Sequence, residues 1–243
     1  MDTEIVEKAR ELEDNGDLKE CIKYVDENIN SIQDALSKTD ILRIKSECFL
    51  YQETPDPEMA KQTAEESLKI ATEKNDMKRI AETNLLLSQI LVLEDNKKAI
   101  EYGRKALELY QKINDKGEYI YSMISLATIL EDFNEASSLF EKAIQEAENS
   151  NNLDMLAQAA VNYAYLLVEQ KGGDEPLKIL DKVIKRVVGE AAKLKRKEER
   201  IRAVNNYSEI FDAASDIAME LDQYDLATKY ASYLNKDPQE SAK

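Results

Sequence analysis

Three observations place this chain among all-α proteins built from stacked helical hairpins. Six Gly and four Pro in 243 residues leave few loop punctuators, so helices must be joined by short connections. Apolar residues recur at three- and four-residue spacing along most of the chain, the pattern of helices with one buried stripe. The third observation is internal repetition. In Phe133–Ala147, FNEASSLFEKAIQEA, residues Ala136, Phe140 and Ala143 put a small, a large and a small side chain on one face. Matching anchors at Cys21, Ala60, Ala99, Ala136, Pro176 and Ala227 are separated by 39, 39, 37, 40 and 51 residues. Two helical segments per period of near forty describe an α-solenoid of about six antiparallel helix-turn-helix units.

Unit one, near 1–38, pairs Glu4–Glu13 with Leu18–Ile29; Gly16 stops the first helix and Asp17 caps the second. Ile5, Ala9 and Leu12 are expected to face Cys21, Ile22 and Val25. Unit two, near 39–77, runs over Ile41–Tyr51 and Pro57–Thr72, with Pro57 in a first turn where its missing N–H costs nothing. There Ile44, Cys48 and Tyr51 repeat the first-helix stripe and Ala60, Ala64 and Ser67 the second. Unit three, near 78–115, uses Arg79–Leu93 and Lys97–Ile113, the latter with Ala99, Gly103 and Ala106 at the recurring spacing. Unit four, near 116–152, places Tyr119–Leu130, with its stripe Leu126, Ala127 and Leu130, ahead of the Phe133–Ala147 helix.

Unit five, near 153–190, carries Tyr163, Ala164 and Leu167, the loop Lys171-Gly172-Gly173-Asp174, then Pro176, Leu180 and Val183. Unit six, near 191–238, departs from the period by about a dozen residues between Val187 and Asn205. No Pro interrupts them, so the second helix of unit five and the first helix of unit six, the last two before the closing helix, are expected to be extended. The unit closes on Tyr224, Ala227, Ala231 and Leu234, and Pro238 ends the helix. Residues 1–238 are expected to form a single repeat domain, with 239–243 a frayed tail.

These residues resemble the tetratricopeptide repeat (TPR) family, whose pattern sets Trp, Leu, Gly and Tyr on the first helix, Ala and Phe on the second, and a late Pro. The slots hold Tyr163, Ala164 and Leu167 in unit five, Ala136, Phe140 and Ala143 in unit four, and Pro238 in unit six. Trp is nowhere present, and Ala, Cys or Ser replaces Gly, which still lets two helices approach closely. The period is similar to the longer-repeat TPR-like subclass found in kinesin light chains and in regulatory adaptors. The resemblance implies a right-handed superhelix whose first helices line a concave wall. It also implies an inner-face Asn that holds a peptide backbone; only Asn162 occupies that slot, Leu86 and Ser125 standing at its equivalents. The Lys/Asn clamp of chaperone-binding relatives is missing.

Charge and chemistry narrow the function. With 49 acidic and 33 basic residues the formal net charge is −16, which repels nucleic acid and anionic lipid, so neither is an expected partner. The start MDTEIVEKAR lacks the basic-then-apolar layout of a signal peptide, and no run approaches the ~18 apolar residues of a membrane span. Cys21 and Cys48 fit reduced thiols on apolar stripes, and a cytoplasmic location is expected. The chain has no histidine, which removes the commonest general base and metal ligand and every His-paired nucleophile. No phosphate-binding Gly-rich loop is present. No catalytic residue, metal or cofactor is expected.

The expectation is therefore a non-enzymatic adaptor or scaffold that binds a peptide or helix of a protein partner in its concave groove. If first helices line that groove, Lys45, Phe49, Gln89, Tyr121, Thr128, Asn162 and Tyr165 point into it. Taken singly, each of these, Phe49 and Tyr121 among them, reads first as packing between repeats; taken as a set they read as a binding groove. A second candidate is Lys182–Arg202, with nine basic residues against three acidic ones. It reads either as a solvated face or as a basic prong, centred on Lys193, Lys195, Arg196, Lys197 and Arg200, that docks an acidic partner. No capping helix is expected after Leu234. Tyr224, Ala227, Tyr230, Ala231 and Leu234 are thus expected either to pack back on the preceding helix or to form a two-fold homodimer contact. Two rivals stand beside the adaptor. One is a 14-3-3-like phosphopeptide reader, on the loosely similar rhythm of EIVEKARELEDNGDLKECI, although no Arg-Tyr pair is found and only Lys45, Arg104 and Lys105 come near its basic triad. The other is a carboxylate-only enzyme or the regulatory subunit of one, which a buried carboxylate pair in a closed pocket would favour.

Overall fold

The computed structural model describes residues 2–170 and 173–240, so Lys171 and Gly172 of the expected loop and residues 241–243 of the expected tail lie outside it. Among the described residues are thirteen α-helices, one short 3-10 turn at Ile29–Ser31, and no strand. They form two compact units, Met1–Ile129 and Leu130–Lys243, divided inside the fourth expected hairpin.

The first unit holds α1 (Asp2–Asp14), α2 (Leu18–Asn28), α3 (Ala35–Tyr51), α4 (Pro57–Glu73), α5 (Met77–Leu91), α6 (Asn96–Ile113) and α7 (Lys116–Ile129). Consecutive helices pack on one another, which buries the small-residue stripes. Ile5, Ala9, Leu12, Cys21, Val25, Ile41, Ile44 and Cys48 form one cluster across α1, α2 and α3. Small slots bring the helices close enough for buried hydroxyls to reach backbone. Ser46 Oγ donates to the Ala60 carbonyl at 2.7 Å and Ser88 Oγ to the Ala99 carbonyl at 2.8 Å. Ala60 and Ala99 are two of the repeating anchors. Gly103 is the tightest such contact: a Cβ there would meet Ser88 Oγ at 3.1 Å and Leu126 Cδ1 at 3.2 Å.

The α4–α5 and α6–α7 turns share one chemistry. Asn75 and Asn114 adopt the left-handed conformation, with φ of 53° and 57°. The next N–H then bonds back, Asp76 to the Ala71 carbonyl and Asp115 to the Tyr110 carbonyl, both at 3.1 Å, closing the helix end. Asp76 and Asp115 in turn cap the following helix through the Arg79 and Glu118 amides. The α1–α2 turn closes in the same way, with Gly16 at φ 81° and the Asp17 N–H on the Leu12 carbonyl at 2.9 Å, but the Asp17 side chain, expected to cap α2, makes no cap bond. Helix α3 starts at Ala35, before the expected Ile41, because Asp34 accepts from the Ser37 amide at 2.6 Å.

The second unit holds α8 (Phe133–Asn149), α9 (Leu153–Gln170), α10 (Glu175–Ala192), α11 (Lys197–Asn205), α12 (Ser208–Glu220) and α13 (Tyr224–Ala231). Ala136, Phe140 and Ala143 are buried, and the Phe140 ring stacks on Tyr163 with centroids 5.7 Å apart. The Asn–cap turn returns between α8 and α9 at Asn151-Asn152. Ser215 Oγ repeats the hydroxyl-to-anchor bond, to the Ala227 carbonyl at 3.3 Å.

The expected pair of extended helices is not what forms. Helix α10 ends at Ala192, the chain turns over residues 193–196, and α11 is a separate nine-residue helix. The turn is stabilised from within, since Arg200 Nη1 donates to the carbonyls of Leu194 and Lys195 at 3.1 and 3.0 Å. The same guanidinium grips Asp237 bidentately, Nε and Nη2 at 2.7 and 2.6 Å, with the two side chains 9% and 4% exposed. Of the residues named for the chain end, Ala227 and Tyr230 are buried and Leu234 is half-buried, whereas Tyr224 and Ala231 are exposed. Pro238 is also buried, and Tyr233 lies against Phe211 with centroids 5.6 Å apart. Gln239 and Glu240, expected to fray, bond the Ala192 carbonyl and Lys197. No helix among the described residues is long and apolar enough to cross a membrane.

Candidate functional site

First helices of the first unit converge on one groove of about 510 Å³. Each contributes a helical stripe: Arg10, Glu13 and Asp14 from α1, Arg43, Glu47 and Tyr51 from α3, Glu82, Leu86 and Gln89 from α5, and Glu118 and Tyr121 from α7. Buried Leu85 and Tyr110 lie beneath them. A polar row crosses three of these helices. Tyr51 Oη donates to Gln89 Oε1 at 3.2 Å, and Gln89 Nε2 donates to Tyr121 Oη at 3.0 Å. Tyr51 is 60% exposed, so its ring face is open to a ligand.

One end of the groove is dominated by charge. Arg10 Nη1 lies 2.7 Å from Glu13 and 3.4 Å from Glu47. Arg43 pairs with Glu47 through Nη1 at 2.5 Å and approaches Glu82 through Nε at 3.5 Å, but that Nε has no hydrogen-bond partner among the described residues. Glu13 and Glu47, 17% and 18% exposed, form a carboxyl pair. Burial, then the hydrogen bond and the repulsion from Glu47, push the Glu13 carboxyl up to about 8, against the lowering effect of Arg10 and Arg43. Glu82 and Glu118 are also pushed above the usual carboxylate range, chiefly by burial. Burial raises the Tyr51 and Tyr110 hydroxyls as well. Five carboxyl groups face two guanidiniums, and the site is short of positive charge.

Of the residues expected to line a groove, Gln89 and Tyr121 do so, and the structure joins them directly. Lys45 and Phe49 do not. Two residues are about 200° of helical rotation, so positions 45 and 49 lie on the side of α3 away from 43, 47 and 51. Lys45 pairs with Asp26 of α2 and sits 5.5 Å from the Phe49 ring centroid, while Phe49 packs on the cluster of Ala60, Ala64, Leu86, Leu87 and Ile90. Tyr51, assigned to the core stripe from its spacing, is instead a groove residue. Thr128 bonds the Ile124 carbonyl of its own helix at 2.9 Å. In the second unit, Asn162 bonds the Gln158 carbonyl of its own helix, and Tyr165 is 42% exposed. Burial and acidic residues of α12, Asp216 foremost, raise the Tyr165 hydroxyl.

The basic segment is largely paired within the second unit. Lys193 bonds Glu190, Arg196 lies 3.7 Å from Glu199, and Lys197 bonds Glu240. Arg200 is buried against Asp237 and cannot belong to an exposed prong, whereas Lys195 is exposed. Among the described residues no group of three or more His, Cys, Asp or Glu could hold a metal ion.

No protein-family model and no curated protein matches the sequence. Solved structures do. The apo form of RapI superposes with a TM-score of 0.65 at 15% identity, over 99% of this chain and 97% of that one. A Rap protein complexed with competence and sporulation factor gives 0.64 at 16% identity, over 97% and 74%. Putative kinesin light chain TPR-like repeats from Podosopora anserina give 0.62 at 13% identity, over 74% and 92%. This is a TPR-like helical-repeat fold. In TPR-like terms α1, α3, α5 and α7 are first helices, and the groove lies along them. The anchors Ala60 and Ala99 sit on second helices of the same unit and do not line it.

Proposed function

We propose that this chain is a non-enzymatic interaction adaptor that holds a peptide or helix of a partner protein along the first-helix groove of its first unit. The observation that carries this reading is the Tyr51–Gln89–Tyr121 row, which spans three successive first helices. Its hydroxyl and amide groups can exchange their mutual hydrogen bonds for those of an extended backbone, and the Tyr51 ring offers a stacking face. The Rap protein complexed with competence and sporulation factor shares the fold and is described with a bound factor, which agrees with a binding role.

The rivals fare less well at this site. Even with Glu13 protonated, the carboxylates outnumber the two guanidiniums and repel a phosphate, which counts against a phosphopeptide reader. The Glu13–Glu47 pair is the feature a carboxylate enzyme would need. Yet Arg10 pairs with both carboxyls and Arg43 with Glu47, which ties the pair up in ion pairs. Affinity capture from the native source, comparing wild type with a Tyr51→Ala, Gln89→Ala, Tyr121→Ala triple variant, tests the adaptor reading. Loss of specific partners from the variant is expected; an unchanged set of partners would overturn it.

A further inference from the structure

The charged end of the groove has a property the Tyr–Gln–Tyr row does not explain: its carboxyl groups outnumber the cations that reach them. Glu13 and Asp14 on α1, Glu47 on α3, Glu82 on α5 and Glu118 on α7 all line it. Against them stand Arg10 and Arg43, with Lys78 only reaching Glu82 from 4.0 Å. Both guanidiniums are committed mainly to Glu47 and Glu13, so Glu82 is held by two long contacts. Glu118 forms no ion pair among the described residues, and burial, Asp115 and Glu82 oppose its charge more than Lys78 and Arg43 favour it. Such a concave, partly buried acidic surface focuses a field that a cation would relieve.

We propose that this end of the groove seats a lysine or arginine side chain of the bound segment, between the Glu13–Glu47 pair and Glu82, so that the adaptor selects a basic peptide. The proposal rests on the reading of the groove as a peptide site and adds the chemical class of its ligand. An ammonium can be received by several carboxylates as a compact charge, and a guanidinium can bond them in a fork. The Tyr51 ring beside the pair, open to solvent, can also receive a cation on its face. The peptide backbone continuing from that side chain would run along Gln89 and Tyr121.

A linkage follows. At neutral pH Glu13 holds a proton, because burial and Glu47 oppose its ionisation more than Arg10 and Arg43 favour it. The other titratable neighbours are Tyr51 and the Cys48 thiol of α3, both pushed up and neutral there, the Cys21 thiol of α2, which is shifted down, and Glu82 and Glu118 of α5 and α7, which are shifted up. A cation arriving at the pair reverses the balance and expels the proton. Binding should therefore release protons, tighten as pH rises from 6 to 8, and level off above.

A random decapeptide library displayed on phage and panned against the full-length protein tests this, with selected peptides synthesised and measured by calorimetry from pH 6 to 9. Support would be a fixed Lys or Arg in the selected peptides whose replacement by norleucine or citrulline weakens binding about tenfold or more, the scale of a charge-assisted contact. Glu13→Gln, which keeps the shape of the protonated acid and so the fold, should then abolish the proton release. Selected peptides with no fixed basic residue, or binding indifferent to pH in this window, would overturn the cation seat. If those peptides still lose binding on Tyr121→Ala, the groove itself survives. A library that selects nothing, or only peptides indifferent to Tyr51→Ala and Tyr121→Ala, removes the groove reading and the cation seat together.

Discussion

Glu13 keeps its proton to about pH 8 because its carboxyl is enclosed between α1 and α3 against a second carboxyl. The unfolded chain releases that proton near the ordinary 4.5. Between those values the folded state holds a proton the unfolded state lacks, so this group's contribution is full below about 4.5 and is lost as pH rises through 8. A thermal-melt series from pH 5 to 9 should show Tm falling with pH, and Glu13→Gln should flatten that slope. A residual slope of the same sign will remain, because Glu82 and Glu118 are shifted in the same direction. Phe140 illustrates a different residue-level control. It fills the large slot of its stripe and stacks on Tyr163, so Phe140→Ala should cost about 3–5 kcal/mol in a urea titration, the usual scale for emptying an aromatic core site. Phe140 was readable from spacing alone. Tyr51 was not, since a residue three beyond Cys48 at the last turn of α3 fits the core stripe and the groove equally well.

Helix ends rather than helix middles mark the repeat most clearly. The left-handed residues Asn75, Asn114 and Asn151 are 39 and 37 residues apart, the same separations as the anchors Ala60, Ala99 and Ala136. Each is followed by Asp or Asn that caps the next helix. This Asn-Asp/Asn signal was present in the sequence and locates the hairpin boundaries better than the worn apolar stripes. Asn75→Val should destabilise by roughly 1–2 kcal/mol, the steric cost of a Cβ-branched residue with positive φ, whereas Asn75→Gly should be tolerated; denaturant midpoints decide it. Lys45 and Phe49 mark the limit of element-level reading. Helix α3 buries Thr39, Ile41, Leu42, Ile44, Ser46 and Cys48, which surround most of its circumference. An element packed on several sides has no single polar face to announce which stripe meets solvent. The break between α10 and α11 was hidden for a related cause: helix-forming Lys, Arg and Glu predict continuation, and the contact that stops α10 comes from Asp237 and Arg200.

At the scale of the molecule, the acid excess and the self-packed chain end make two predictions. With a net charge of −16, the protein should leave duplex DNA unshifted in a gel assay at about 0.15 M salt, where only counterion release could drive binding. Because Tyr230 and Pro238 are covered by their own chain, light scattering should show no dimer through α12 and α13 in the wild type. Asp237→Ala, which strands the buried Arg200, should lower Tm by several degrees and raise the tendency to associate. What could be read from the chain as a string was everything set by neighbours a few residues apart: helix, turn, cap, period and charge. Those follow from i to i+3 and i+4 contacts and from the left-handed tolerance of Asn and Gly, which each segment carries with it. Folding alone chose which stripe of α3 opens to a ligand, where α10 stops, and which carboxyl keeps its proton. Tyr51 meets Gln89 across 38 residues and Arg200 meets Asp237 across 37. Such partners become neighbours only when the hairpins stack, and no local pattern specifies them.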